Sequence, residues 1–527
     1  MITVSRRFVE VGGRRVHYRT CGSGPPLVLL HGSPGDSAVV EHEMAAAAPY
    51  FTCFALDTPG FGGSDPLPSA GLTVADLARA TGAAIEALGI APCTVFGTHT
   101  GALIAAELGA GWPGTVTGLV MEGLPIFTDS EIADLFEGYG NYFAPLEPDP
   151  LGGHLTAIWM RFRDQFTWFP WASREVGRLN PVDRPTAEEI HLWVAMFYRS
   201  CRTYGPAYRA ACYHGARARL AAERVRVPAV FMASAEDMLY PHLGRLPQMR
   251  PGQRIERLAH DPPAKYRAIV DFAQSLPMGA PMVRPAPQRL VGASPAVQFV
   301  GQTFVRSYGD RDAPALMLLH DMPGSGLALH DLALHLARDR HVIVPDLPGC
   351  GESGLPPGPP IDAAVDALMA IARALGETDY AVAAWGCASV VAAALAAREA
   401  SGVTALLLER AIGADPGVAA QIAPDLPLRD EGGHWLTAWL MVRDNQIYDP
   451  WFAGTVAAQR PGQGNFDAQW LHDQTFEIIK ARTTYHALPR AAWQTGCADL
   501  LPALGIPVRL GDPAALLCPT PTSKARS

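Results

Sequence analysis

Short apolar runs closed by glycine or proline alternate along this chain with longer stretches in which small and apolar residues recur at helical spacing. The clearest unit is Thr94-Val95-Phe96, a β-branched and aromatic run that stops at Gly97. After three intervening residues comes Gly101, followed by Ala102-Leu103-Ile104-Ala105-Ala106-Glu107-Leu108. The pattern predicts a strand, a sharp turn and a helix, with His99 at the tip and a glycine two places to either side. A side chain at either glycine would strike the neighbouring strand or helix, and the tip residue is expected in a strained backbone conformation that lifts its side chain clear.

The same pattern is written twice. Leu27-Val28-Leu29-Leu30-His31-Gly32-Ser33-Pro34-Gly35 returns as Leu316-Met317-Leu318-Leu319-His320-Asp321-Met322-Pro323-Gly324, and Asp57 follows His31 at the spacing at which Asp346 follows His320. Gly152-Gly153-His154, Arg163-Asp164-Gln165 and Pro170-Trp171 recur as Gly432-Gly433-His434, Arg443-Asp444-Asn445 and Pro450-Trp451. His191 and Tyr204 match His472 and Tyr485. Preserved spacing over this length is the mark of tandem duplication. Strand runs alternating with helical stretches predict an α/β architecture, a mostly parallel sheet with flanking helices in each copy. The copies are expected at 1–276 and 298–527, joined by a proline-rich linker at 277–297. Each carries an aromatic helical insertion, at about 125–225 and 412–504, placed to act as a lid over the carboxyl edge of its sheet.

Composition narrows the function. The 527 residues are too many for one core. Hydrophobic residues make up 49% and charged residues 18%, which is a globular balance. The net charge of −9 and the lack of any Lys/Arg-rich stripe argue against a nucleic-acid partner. Nine scattered cysteines without a Cys-x-x-Cys pair read as free thiols in a reducing compartment. With no signal-peptide pattern at Met1-Ile2-Thr3-Val4 and no apolar run long enough to span a bilayer, a cytoplasmic protein without a membrane partner is expected.

His31-Gly32, Pro34-Gly35, Asp57, Pro59-Gly60, Gly62, Ser64-Asp65, the turn at 97–101, the strand end at Glu122 and His260-Asp261-Pro262-Pro263 together resemble the α/β-hydrolase superfamily. The nearest flavour is the epoxide hydrolase and haloalkane dehalogenase group. The resemblance covers nearly all of the first copy and most of the second. It implies that the turn at 97–101 is the nucleophile elbow, with His99 where serine, aspartate or cysteine normally stands. It implies Asp237, after the strand run Val230-Phe231-Met232-Ala233, as the acid, with Glu122 as the alternative position, and His260 as the general base. It implies an oxyanion hole from the backbone N–H groups of Ser33 and Thr100. By analogy alone, Trp168, Tyr204 and Tyr208 of the lid become substrate-binding candidates, while His154, Arg163, Asp164 and Trp171 read as lid framework, Arg163 and Asp164 as an internal ion pair.

Imidazole is already a base near neutral pH. His99 can deprotonate a water, tuned by Asp237 or Glu122 through His260; it can attack directly as a nucleophile; or it can exchange protons with a substrate never held covalently. General acid/base work ranks first, because the tip has no hydroxyl, thiol or carboxylate. A two-His-one-carboxylate metal set is set aside, and no cofactor is expected. In the second copy Ala384-Trp385-Gly386-Cys387-Ala388 overlies 97–101, so the tip is Gly386, and no histidine follows His486. That copy reads as truncated and catalytically empty, a brace for the first lid in an intramolecular pseudo-dimer. The expected activity is hydrolysis of an ester, lactone or similar bond in a small, largely apolar molecule. A cofactor-free lyase, decarboxylase or oxygenase-like enzyme, or a non-catalytic scaffold, are the alternatives.

Overall fold

A computed structural model describes residues 3–139, 143–180, 182–259, 261–277, 295–398, 402–462 and 464–518. Most of the expected linker, 278–294, lies outside them, as does His260. The chain divides into two compact units, Met1–Glu147 with Thr156–Leu290, and Pro148–Leu155 with Val291–Ser527.

The first unit is built on eight strands, β1 (Ser5–Val11), β2 (Arg14–Gly22), β3 (Pro26–Leu30), β4 (Thr52–Leu56), β5 (Cys93–Thr98), β6 (Val116–Glu122), β7 (Ala229–Ser234) and β8 (Gln253–Leu258). They lie in the order β1-β2-β4-β3-β5-β6-β7-β8. β1 and β2 are antiparallel additions at one edge, and the remaining pairs are parallel. β3 sits between β4 and β5, so both of its edges are paired, and helical elements on both sides of the sheet cover its faces. This is why Leu27-Val28-Leu29-Leu30 reads as a continuous apolar run instead of an alternating one, and all four are fully buried.

The second unit repeats this plan with β9 (Ala296–Val300), β10 (Thr303–Tyr308), β11 (Ala315–Leu319), β12 (His341–Pro345), β13 (Tyr380–Ala384), β14 (Val403–Leu408) and β15 (Val508–Leu510). Their order is β15-β14-β13-β11-β12-β10-β9. Among the described residues, no strand stands beyond β15 where β8 stands beyond β7. In both units the histidine after the central strand ties two loops together. His31 Nε2 accepts from the Thr58 N–H at 3.0 Å, and His320 Nε2 accepts from the Leu347 N–H at 2.9 Å. Burial lowers the pKa of each ring, which keeps it neutral and able to accept.

The insertions are helical. In the first unit they include Asp129–Tyr139, Gly153–Thr167, Ala187–Ser200, Tyr204–Cys212 and Ala216–Arg224. In the second they include Gly433–Asn445, Ala468–Lys480 and Ala487–Thr495. One framework detail differs from expectation. Asp164 pairs with Arg174 at 2.6 Å, not with its sequence neighbour Arg163, whereas the repeated Arg443 and Asp444 do lie within 3.5 Å of each other. Among the described residues no helix is long and apolar enough to cross a membrane.

The turn after β5 has the geometry the glycines require. A Cβ on Gly97 would lie 2.3 Å from the Gly101 carbonyl oxygen, and one on Gly101 would lie 2.3 Å from that of Leu30. Both obstacles are backbone, so neither can move aside. Gly101→Ala is expected to destabilise the first unit by about 3 kcal/mol through overpacking, read as a lower urea midpoint. A surface glycine control, Gly71→Ala, has nothing within 4 Å of its Cβ; its positive φ makes a smaller loss the expected result.

Candidate active site

His99 holds the tip between β5 and the helix Thr100–Gly111, with φ 48° and ψ −109°. It is the single non-glycine residue with positive φ among the described residues. Such a conformation costs about 1–3 kcal/mol and persists only where the surroundings impose it. Here they do. The His99 N–H donates to the Glu122 carbonyl at 3.0 Å, at the end of the adjacent strand β6, and the Leu103 N–H donates to the His99 carbonyl at 3.1 Å to open the helix.

The imidazole reaches across to the loop after β7. His99 Nε2 lies 3.0 Å from Asp237 Oδ2. The other Asp237 oxygen accepts from the Leu239 N–H at 2.8 Å, which fixes the carboxylate. Gly123 makes the meeting possible. A Cβ there would come within 2.6 Å of both Asp237 Oδ2 and His99 Cδ2. Sequence reasoning passed over this glycine, although its position directly after the strand-end Glu122 was the available signal.

Glu122 has a different role from Asp237. Its carboxylate pairs with Lys265 Nζ at 3.2 Å, and the same ammonium pairs with Glu43 at 2.7 Å. Burial raises the Glu122 pKa against the pull of Lys265. Burial likewise opposes the charge on His99, but the Asp237 carboxylate, by its charge and its hydrogen bond, outweighs it and raises the His99 pKa above 6.5. Asp237 is held below its ordinary value: burial acts against this, and His99 prevails.

Around the tip lies a cavity of about 310 Å³. Ser33, His99 and Thr100 line its floor; Phe127, Phe166, Phe169, Trp193 and Leu239 supply most of its apolar wall; Gln165, Asn180 and Tyr208 place polar groups in it. A Cβ on Gly32 would sit 3.3 Å from His99 Cβ, so the loop bearing Ser33 packs directly on the tip. Of the three lid candidates, Tyr208 lines the cavity. Tyr204 is buried in the lid, its ring edge-on to Phe197 at 5.2 Å. Trp168 follows the last residue of the helix Gly153–Thr167 and does not line the cavity; the indole that does is Trp193, on the helix Ala187–Ser200. His260 lies outside the described residues.

A family model described as the alpha/beta hydrolase fold matches residues 25–264 and 314–450. The chain is similar to a probable proline iminopeptidase of Streptomyces coelicolor, 33% identical over 29% of this chain and 53% of that protein. It is similar to a 2-(acetamidomethylene)succinate hydrolase of Mesorhizobium japonicum, 30% identical over 28% of this chain and 52% of that one. The chain thus spans about half the length of these curated relatives. Among solved structures, epoxide hydrolase A from Mycobacterium thermoresistibile aligns over 53% of this chain and 100% of its own, at 22% identity and a TM-score of 0.41.

The shifts of the His99–Asp237 pair set a pH window for its contribution to stability. A raised imidazole stabilises fully below its unfolded value of 6.5 and loses that as pH rises through the folded value. A depressed carboxyl stabilises fully above its unfolded value of 3.8 and loses that as pH falls. The Tm difference between wild type and Asp237→Asn is therefore expected to be largest between pH 3.8 and 6.5 and to shrink on either side. By NMR titration, His99 should titrate above 6.5 in the wild type and fall in Asp237→Asn, where burial and Lys265 are opposed by the charge of Glu122 alone.

Proposed function

Because the chain belongs to the alpha/beta hydrolase fold family, which matches it in both halves, we propose that its first unit hydrolyses an ester, lactone or similar bond in a small, largely apolar molecule, with His99 as general base. The observation that carries this reading is the 3.0 Å contact of His99 Nε2 with Asp237 Oδ2 beside an apolar cavity. A carboxylate at that nitrogen favours the tautomer with its proton on Nε2, and leaves Nδ1 with a lone pair to take a proton from water.

The sequence of events follows from the residues at hand. Substrate rests among Phe127, Phe166, Phe169 and Trp193, with Gln165, Asn180 and Tyr208 able to orient its polar end. His99 removes a proton from water as the water adds to the carbonyl carbon. The charge developing on the carbonyl oxygen falls to the N–H groups of Ser33 and Thr100, the two backbone positions that flank the tip. Asp237 stabilises the imidazolium, which returns the proton to the departing alkoxide. No covalent intermediate is needed. Lys265 holds Glu122 and Glu43 in ion pairs, which leaves Asp237 as the carboxylate that His99 senses through a hydrogen bond.

A panel of short-chain nitrophenyl esters tests the assignment. His99→Ala should lower kcat/KM by roughly 10²- to 10⁴-fold, the usual worth of a positioned general base. Activity in the wild type should rise with pH along a limb centred above 6.5, the neutral imidazole being the working form, and the limb should move to lower pH in Asp237→Asn. An unchanged rate in His99→Ala rules the reading out. His99→Ser examines the oxyanion hole separately: a burst of acyl-enzyme would show the hole to be competent without the imidazole.

A further inference from the structure

The tip of the second unit is Gly386, at φ 50°, and it has no side chain to react. Asp321 stands directly after His320, in the position Gly32 holds after His31. A Cβ built on Gly386 would fall 1.8 Å from Asp321 Oδ1, so the carboxylate occupies the volume an elbow side chain would take. Three more positions around this elbow have gained charge. Arg410 follows Glu409 as Gly123 follows Glu122, and Asp449 precedes Pro450-Trp451 as Phe169 precedes Pro170-Trp171. Arg460 stands where Asn180 does, each one residue past the matching bridges Tyr448–Gln459 and Trp168–Leu179. The apolar cavity of the first unit thus has a charged counterpart in the second.

Those charges do not cancel where they stand. Asp449 faces two guanidinium groups, Arg410 at 2.6 Å and Arg460 at 3.8 Å, so one carboxylate serves two cations. Arg460 spends Nε on the Tyr448 carbonyl at 3.3 Å and Nη2 on Asn445 at 3.1 Å. Nη1 has no acceptor among the described residues. On the elbow side the excess is negative. Asp321 Oδ1 accepts from the Met322 N–H at 2.8 Å and the Cys387 N–H at 3.2 Å, and Oδ2 has no donor among the described residues. Glu409 lies beside it, accepting from the Gly386 N–H at 2.7 Å. Burial, with Glu409 adding to it, raises the Asp321 carboxyl above its ordinary range against the two N–H donors and Arg410. Asp321 and Arg460 both line a cavity of about 170 Å³ and a recess of about 220 Å³.

We propose that the second unit binds a free amino acid with an apolar side chain, its ammonium on Asp321 Oδ2 and its carboxylate on Arg460. The ligand class follows from the two unanswered charges. A simple cation would meet only the carboxylate, and a simple anion only the guanidinium. A neutral apolar molecule would bury both without partners, at a large desolvation cost. A zwitterion answers both at once, with charge-assisted hydrogen bonds at each end. The rest of the wall suits its side chain: Ile422, Met441, Trp451, Trp470 and Trp493 line the larger cavity. Trp493 also carries the Arg410 guanidinium at 5.9 Å from its ring centre, which helps fix the cationic side. Binding needs no reactive tip, so the bare Gly386 is consistent with a site that holds its ligand unchanged.

Isothermal titration calorimetry of the full-length protein at neutral pH with L-leucine and with L-phenylalanine tests this. At least one of them should bind at one per chain. The leucine analogues 3-methylbutylamine and 4-methylpentanoate each lack one charge and should bind more weakly than leucine by roughly tenfold or more. Asp321→Asn should weaken leucine and leave 4-methylpentanoate unchanged. Arg460→Gln should weaken leucine and leave 3-methylbutylamine unchanged. An unchanged Tm checks folding in both, and a merely structural role would not produce this crossed pattern. His99→Ala should retain leucine binding, which separates this site from the first. No binding of either amino acid to the folded wild type overturns the proposal. So does an analogue that matches leucine, leucine binding untouched by both substitutions, or leucine binding lost in His99→Ala.

Discussion

Each half of this protein depends on one steric constraint: a backbone that turns from strand to helix within van der Waals contact of the neighbouring strand. In the first unit Gly97 faces the Gly101 carbonyl and Gly101 faces the Leu30 carbonyl, at distances no side chain could occupy. That closeness holds the tip in a left-handed conformation and aims it at the carboxyl edge of a parallel sheet, where loops after β3, β6 and β7 end together. Ser33 and Asp237 sit on the loops after β3 and β7 and Glu122 is the last residue of β6, and all three come to the tip because those strands end there. The chemistry is therefore set less by local sequence than by which strands are neighbours.

The glycine spacing around His99 and the repeat of spacings between the halves were enough to predict two parallel-sheet units, and both sheets are present. Gly386 at the second tip was equally readable, since a tip is located by counting from the strand. What sequence could not supply were contacts between residues far apart in the chain. That Lys265 pairs with both Glu122 and Glu43 depends on a helix packing back across the sheet. That Trp193 and not Trp168 lines the cavity depends on where the helix Gly153–Thr167 stops. The Asp321 carboxylate was invisible for the same reason: in the repeat it looks like a simple loss of Gly32, and only the fold shows what it displaces.

Electrostatics then separates two acids that look alike on paper. Glu122 ends β6 and Asp237 lies on the loop after β7, both beside His99, yet one is locked to an ammonium and the other to the imidazole. A tip residue that is itself a base needs a partner that steadies its proton, and the Asp237 loop supplies that with one oxygen while the Leu239 N–H pins the other. The strained backbone at His99 and the bare space provided by Gly123 serve the same meeting.

The space at each elbow holds one side chain's worth of atoms, and it is filled from opposite loops in the two halves. In the first half a Cβ on Gly32 would already press to 3.3 Å on His99 Cβ; in the second a Cβ on Gly386 would collide with Asp321. The two residues are mutually exclusive, which makes them epistatic. Converting one elbow into the other therefore takes two coordinated substitutions, a tip reduced to glycine and an aspartate placed beside it.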